Sequence, residues 1–410
     1  LKGAAMSLKI FADLIDEQTK NQIISIHEQE HYKDQKIRIM PDCHLGKGSC
    51  IGFTQEMTSS LVNPAFVGVD IGCGVTMMIF KSDKNIDLNY LDKTIKNNIP
   101  SGINRNKNSL RYEKYVSQDF DKKLKKLCDT ITVINYEDVK NSLCSLGGGN
   151  HFIEMGYKPK NGEHYYYLTV HSGSRNFGLK VAEHYIKESR EKNKELEEFN
   201  LELREKVEKL KAENRHAEIE DFIKNERKSY FPQNIELIDG NDGYFRDLDI
   251  AQNFAYYNRI AMLGEIYELL ERDYILEKQD IINSTHNYID FSGKNPVLRK
   301  GAISAKKDEL IIIPFNMRDG IILGKGKGNE DWNCSAPHGA GRVLSRTKAN
   351  EQLKDSNVNE IMSGVYTTTA QYCIDELPAA YKPVNAILPV IAPSLEVLDT
   401  IKPIYNFKAK

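Results

Sequence analysis

Five of the ten histidines sit in glycine- or asparagine-rich turns beside apolar, strand-like runs: His44, His151, His171, His286 and His338. Turns of that kind are where a rigid scaffold aims side chains into a cleft. In "GVDIGCGV", Asp70 and Cys73 stand three residues apart, flanked by Gly68, Gly72 and Gly74. A carboxylate and a thiolate at that spacing can converge on one cation, because the glycines let the backbone bend. "GGGNHFIE" adds Asn150, His151 and Glu154, "TVHSGSRNFG" puts His171 at a strand end, and "STHNYID" puts His286 among polar residues. Asp70, Cys73, His151, His171 and His286 then make a ligand set for two adjacent metals, with the thiolate able to bridge both. Softness alone favours zinc, and the carboxylate leaves manganese open. Taken singly, each residue reads equally well as a buried cysteine or a turn histidine; the set of five makes the case.

"CSAPHGAGR" surrounds His338 with small residues, which let another molecule approach the ring closely. An unobstructed, deprotonated imidazole is a legitimate nucleophile. The alternative is a fourth histidine ligand, and spacing does not separate the two. No GxxxxGK[ST] segment is present, so a P-loop is excluded. Other glycine turns ("HLGKG", "LGGGN", "HSGSR", "LGKGKGN", "HGAGR") offer backbone N–H groups to anionic oxygens, supplemented by Lys47, Arg175, Arg318, Lys325 and Arg342. The residues sum to a metal-assisted enzyme acting on phosphate groups.

The elements that position these residues follow from patterning. Runs such as "VTMMIF" and "YYYLTV" predict buried strands, and the lysine-rich stretch 86–140 predicts amphipathic helices. From 179 to 232 charge dominates, and Leu196, Phe199, Leu203, Val207 and Leu210 recur three and four apart, predicting a solvated helical hairpin inserted in the fold. A helix near 248–272 presents Ile250, Phe254, Tyr257 and Ala261 on one face, and another is expected from Val343. The expectation is an α+β fold: one large mixed catalytic domain over 7–410 with the charged insertion, residues 1–5 being foreign to a native start at Met6. With 410 residues there is ample surface to bury, and a net charge of −2 confines any nucleic-acid contact to a local patch. Seven cysteines without a regular framework, and no long apolar run or signal peptide, point to the cytoplasm and away from membranes.

"PDCHLGKG", "GVDIGCGV", "LGGGNHFIE", "HSGSRNFG", "STHNY", "RKGA" and "SAPHGAGR" occur in the order that resembles the RtcB-type RNA ligase family, from about Met40 to the C-terminus. The resemblance implies joining of RNA 3′-phosphate or 2′,3′-cyclic phosphate ends to 5′-hydroxyl ends, using GTP and Mn²⁺, in place of zinc. It implies that Cys73 bridges two Mn²⁺ ions, one also held by Asp70 and His151, the other by His171 and His286. His338 would take GMP from GTP as a phosphoramidate and pass it to the RNA 3′-phosphate. Asn150, Glu154, Asn316, Gly339, Ala340, Gly341, Tyr381 and Lys408 would bind the nucleotide; His44, Lys47, Arg175 and Arg342 are candidates for substrate phosphate. "PFNMRDG" and "SAPHGAGR" depart from the "PGSMG" and "SCSHGAGR" of many members, and with the charged helices they mark a divergent subgroup, directed to RNA repair rather than tRNA splicing. A metal-dependent phosphohydrolase that opens cyclic phosphates, and an RNA-binding protein with decayed catalysis, are the alternatives. A monomer or weak homodimer is expected; the sequence names no protein cofactor.

Overall fold

The run "VTMMIF" is apolar without alternation because the sheet that contains it is covered on both faces. That sheet has five antiparallel strands in the order Pro403–Lys408, Phe152–Lys160, Glu163–Ser172, Gly74–Ser82, Leu276–Thr285. On one face Val75 and Met77 meet Ile312, Ile321 and Ile401 of a three-stranded sheet (Leu310–Asn316, Gly320–Gly326, Leu395–Ile401). On the other, Met78 and Phe80 join the main core with the long helix Tyr244–Leu270. The computed structural model describes residues 7–13, 15–191, 194–213, 215–229 and 236–409. Residues 1–5 lie outside the described residues.

A second five-stranded sheet pairs Leu8–Ile10, Lys36–His44, Ile51–Glu56, Val297–Lys300 and Asn287–Asp290 in that order. Its strand Lys36–His44 carries the "PDCH" residues at one end. A short ladder between Ala302–Ser304 and Ser335–Pro337 leads straight into His338. Pro337 suits this extended approach, since a residue preceding proline is held out of the helical region.

The lysine-rich stretch forms four helices, Leu88–Asn98, Leu110–Tyr115, Gln118–Thr130 and Tyr136–Ser142. Asp87, Ser117 and Asn135 cap three of them by accepting backbone N–H groups. The charged region forms helices Lys194–Ala212 and Ile219–Ser229, tied by an ion pair between Lys206 and Glu226 at 2.8 Å. Leu203 and Leu210 of the expected stripe are buried; the side chain of Leu196 lies outside the described residues. The helix expected from Val343 begins at Arg346 instead, because Ser345 caps it by accepting from the Lys348 N–H. Among the described residues no helix is long and apolar enough to cross a membrane.

Candidate active site

Antiparallel pairing explains how residues from distant parts of the chain meet. Strands Gly74–Ser82 and Phe152–Lys160 begin at the edge where Glu163–Ser172, Leu276–Thr285 and Pro403–Lys408 end. That single edge therefore gathers Cys73, His151, His171, His286 and Lys408. The His286 N–H also donates to the Cys73 carbonyl at 2.9 Å, fixing the two turns against each other.

Cys73 Sγ lies 3.4 Å from His151 Nε2 and 3.3 Å from His171 Nε2. His151 Nε2 is 3.1 Å from Asp70 Oδ2, and His171 Nε2 is 3.4 Å from His286 Nε2. The donors thus divide into two overlapping groups that share the thiol: Asp70, Cys73, His151 and Cys73, His171, His286. His151 Nδ1 faces the Leu146 carbonyl at 2.9 Å, and His171 Nδ1 faces that of Asn150 at 3.2 Å. Those carbonyls can only accept, so both rings carry their proton on Nδ1 and turn the Nε2 lone pair inward, as metal-ligating histidines do. Burial, reinforced by the neighbouring histidines, pushes His171 and His286 well below the ordinary range, so both are neutral, as ligation requires. Burial and then Asp70 push the Cys73 thiol well up, a penalty that a cation relieves. Several lone pairs converging on one thiol fit one or two divalent ions; the donor chemistry does not choose zinc or manganese.

Two adjacent residues of the long helix clamp the turns from behind. Buried Arg259 donates to the carbonyls of Gly72 and Ser172 at 2.8 and 2.9 Å and to Thr76 Oγ1 at 2.8 Å. Asn258 accepts from the Ser145 N–H and donates to the carbonyls of Ser145 and Gly173. Gly173 carries no side chain where a Cβ would overlap Asp70 Oδ1. Arg175 supports the same region, donating to Ser145 Oγ at 3.0 Å and the Gly102 carbonyl at 2.7 Å.

His338 stands beside this cluster, its ring centroid 4.9 Å from that of His286. The buried carboxylate of Asp42 holds it: Oδ2 lies 2.7 Å from His338 Nδ1 and accepts the N–H groups of His338 and Gly339 at 3.2 and 3.3 Å. The Nδ1–H is thereby committed to Asp42, leaving the Nε2 lone pair available. Gly341 makes the arrangement possible, since with φ at +74° a Cβ there would come within 2.6 Å of the Asp42 carbonyl oxygen. Buried Arg299 fixes the approach, donating to Ser335 Oγ at 2.8 Å and to the carbonyls of Asn333 and Cys334 at 3.3 Å.

A cavity of about 240 Å³ opens against His338, lined by His44, Asn150, Glu154, His171, His286, Asn316, Gly339, Ala340, Gly341, Arg342, Tyr381 and Lys408 among the residues expected from sequence. Phe152, Arg346, Glu376 and Asn406 line it as well and were not anticipated. Lys47 and Arg175 do not line it: Lys47 is exposed on its turn, and Arg175 sits behind the metal-ligand turns. Asn316 spends its side chain on its own turn, accepting from the N–H groups of Arg318 and Asp319 and donating to Asp319 Oδ2 at 2.8 Å. Burial raises Glu154 to about 8, which favours its carboxylic acid form at neutral pH, and its Oε2 accepts from Asn406 at 2.9 Å. Burial alone would raise Glu376 too, but Lys408 and Arg346 outweigh it and hold that carboxylate at about 2.

The description "tRNA-splicing ligase RtcB" belongs to the family that matches residues 25–409. An Escherichia coli K12 protein named RNA-splicing ligase RtcB is 30% identical over 396 residues, covering 91% of this chain and 90% of its own length. A tRNA-splicing ligase RtcB of Methanococcus maripaludis is 25% identical over 432 residues, covering 85% and 82%. An Escherichia coli protein named RNA-splicing ligase RtcB2 is 24% identical over 411 residues, covering 91% and 88%. The class these matches define is that of RNA-splicing ligases, enzymes that join RNA. Within that class, the chain belongs to the RtcB family.

Proposed function

We propose that this protein is a GTP- and Mn²⁺-dependent ligase that joins RNA 3′-phosphate or 2′,3′-cyclic phosphate ends to 5′-hydroxyl ends, in tRNA splicing or RNA repair. The supporting observation is the adjacency of two devices: a Cys/His/Asp cage suited to two cations, and a histidine held by Asp42 with its other nitrogen free. Asp70, Cys73 and His151 would hold one ion, and Cys73, His171 and His286 the other. Bound there, divalent ions supply positive charge against which a phosphate can be attacked.

The chain's own residues do the rest. His338 bonds through Nε2 to the α-phosphorus of GTP, pyrophosphate leaves, and GMP remains on the ring as a phosphoramidate. The imidazole gains positive charge as that bond forms, and the Asp42 carboxylate at Nδ1 offsets it. Gly339, Ala340 and Gly341 leave room for the nucleotide, with Asn150, protonated Glu154, Tyr381 and Lys408 on the walls around it. Asn316 contributes shape rather than a free polar group. A 2′,3′-cyclic end is first opened by water to a 3′-phosphate; GMP then passes from His338 to that phosphate, and attack by the 5′-hydroxyl, with loss of its proton, forms the phosphodiester and releases GMP. His44 and Arg342, which line the cavity, would meet substrate phosphate there. In this reading 7–410 is one catalytic domain, residues 179–232 are an insertion, and the seven reduced cysteines suit the cytoplasm.

A sealing assay tests the proposal: a labelled RNA with a 2′,3′-cyclic phosphate is mixed with a 5′-hydroxyl RNA, GTP and Mn²⁺. A joined product that disappears in His338→Ala is expected. Opening of the cyclic end with no joining would instead mark a phosphohydrolase, and binding with neither reaction a decayed RNA-binding protein.

A further inference from the structure

One carboxylate organises the cavity wall formed by Arg342, Arg346, Tyr381 and Lys408. Glu376 lies in the short turn Ile374–Glu376 and is 1% exposed, yet it lines the cavity. Its Oε2 accepts from Tyr381 Oη at 2.6 Å and Lys408 Nζ at 2.7 Å. Its Oε1 meets Arg342 at 2.9 Å and Arg346 at 2.8 Å. All four partners also line the cavity, and they come from three parts of the chain: the turn and helix after His338, the segment at Tyr381, and the C-terminal strand. Sorting by oxygen is the informative feature. One oxygen holds groups assigned above to the nucleotide, while the other holds two guanidiniums.

We infer that Glu376 is a positioning residue that couples the nucleotide end of the cavity to an anion-binding end formed by Arg342 and Arg346, so that GTP and the RNA 3′-phosphate are bound by one shared network. This inference rests on the ligase reading above. Three cations face the cavity against Glu376 and the neighbouring Asp375, whose Oδ2 meets Arg346 at 2.5 Å. A wall left with surplus positive charge suits phosphate oxygens. Arg342 keeps a fixed direction because its NH2 donates to the Asp375 carbonyl at 2.6 Å and its guanidinium packs 5.1 Å over the Tyr381 ring. Lys408 is likewise held between Glu376 and the Asn150 carbonyl at 3.3 Å. Glu376 touches neither His338 nor the metal-ligand side chains, so removing its charge changes binding rather than the chemical step.

Glu376→Gln tests this closely, because both carboxylate oxygens face only donors and an amide must turn its own N–H groups toward one pair of them. The assays are label transfer from α-labelled GTP to the protein, and sealing of 3′-phosphate RNA, each titrated in substrate. Glu376→Gln is expected to raise KM for GTP and KM for the RNA together, by ~10- to 100-fold each, with kcat within about threefold. Tyr381→Phe should raise KM for GTP more than KM for RNA, and Arg346→Gln the reverse. If Glu376→Gln does not fold, those two variants carry the test: each should raise both KM values, unequally, and a change confined to one KM in each variant, or no change, overturns the coupling. A fall in kcat at unchanged KM, or a lower melting temperature with both KM values intact, also overturns it. Wild-type protein that takes no label from GTP defeats the ligase reading and this inference with it; labelled wild-type protein beside a Glu376→Gln variant of unchanged KM defeats this inference alone.

Discussion

Asp42→Asn isolates the charge behind His338 from the geometry that holds it. An amide oxygen in the place of Oδ2 can still accept from His338 Nδ1 and from the N–H groups of His338 and Gly339, now at 2.7, 3.2 and 3.3 Å. The amide nitrogen then falls at Oδ1, which is buried and has no hydrogen-bond partner among the described residues. Burying that unpaired donor costs about 1–3 kcal/mol of stability. The effect on rate is separate. Replacing a charge-assisted bond by a neutral one gives up about 1–1.5 kcal/mol, and the lost attraction to a developing imidazolium at about 4 Å adds at most roughly 4 kcal/mol. The expected slowing of label transfer from GTP to the chain is therefore ~5- to 10,000-fold at saturating GTP. Single-turnover labelling, with the folded fraction of each sample measured by melting, is the assay. A variant labelled within threefold of the wild-type rate would refute the idea that Asp42 offsets charge on His338.

Glu154→Gln should leave activity within a few-fold at pH 7, because the wild-type side chain is already protonated there. In the wild type, nucleotide affinity should fall as pH rises through about 8, and the variant should lack that limb. The linkage has a definite sign: the folded pKa lies above the unfolded one, so stability is lost as pH rises from about 4.5 to about 8, and across that window the variant should gain stability relative to the wild type by up to roughly 5 kcal/mol, read in urea melts. Gly173→Ala places a Cβ on Asp70 Oδ1, so metal titration should show the Asp70–His151 ion bound more weakly while the His171–His286 ion is retained. Equal loss of both would contradict two distinguishable sites. Arg299→Met should slow labelling by unfastening the backbone at Asn333 and Cys334, with the metal content unchanged.

The clustering of Asp70, Cys73, His151, His171 and His286 was legible because these residues occupy turns whose composition announces them. Asp70 and Cys73 are three residues apart, and three histidines follow or precede apolar strands. Their convergence depends on antiparallel pairing at one sheet edge, which strand signals imply but do not order. Asp42 lies 296 residues from His338. It stands in "PDCHLGKG" two residues before His44, and no spacing rule links it to His338. Glu376 and Arg346 lacked any local signal: an acidic residue in a turn and a basic residue opening a helix are ordinary surface text until folding buries one against the other. Lys47 and Arg175, cations in glycine turns that read as phosphate ligands, are not among the residues that line the cavity. The buried pair Asn258 and Arg259 lies inside a helix whose apolar periodicity marks Ile250, Phe254 and Ala261 as core but gives polar residues no signal of burial. The start of the helix at Arg346 rather than Val343 follows from Ser345, a cap that the apolar pattern alone does not reveal.

The central claim is that His338 carries the nucleotide. Purified protein incubated with α-labelled GTP and Mn²⁺, then denatured, should retain the label in an acid-labile form. His338→Ala should abolish it, and addition of 3′-phosphate RNA to the labelled wild-type protein should move it onto the RNA. Label that persists in His338→Ala, or wild-type protein that takes none, would contradict the account.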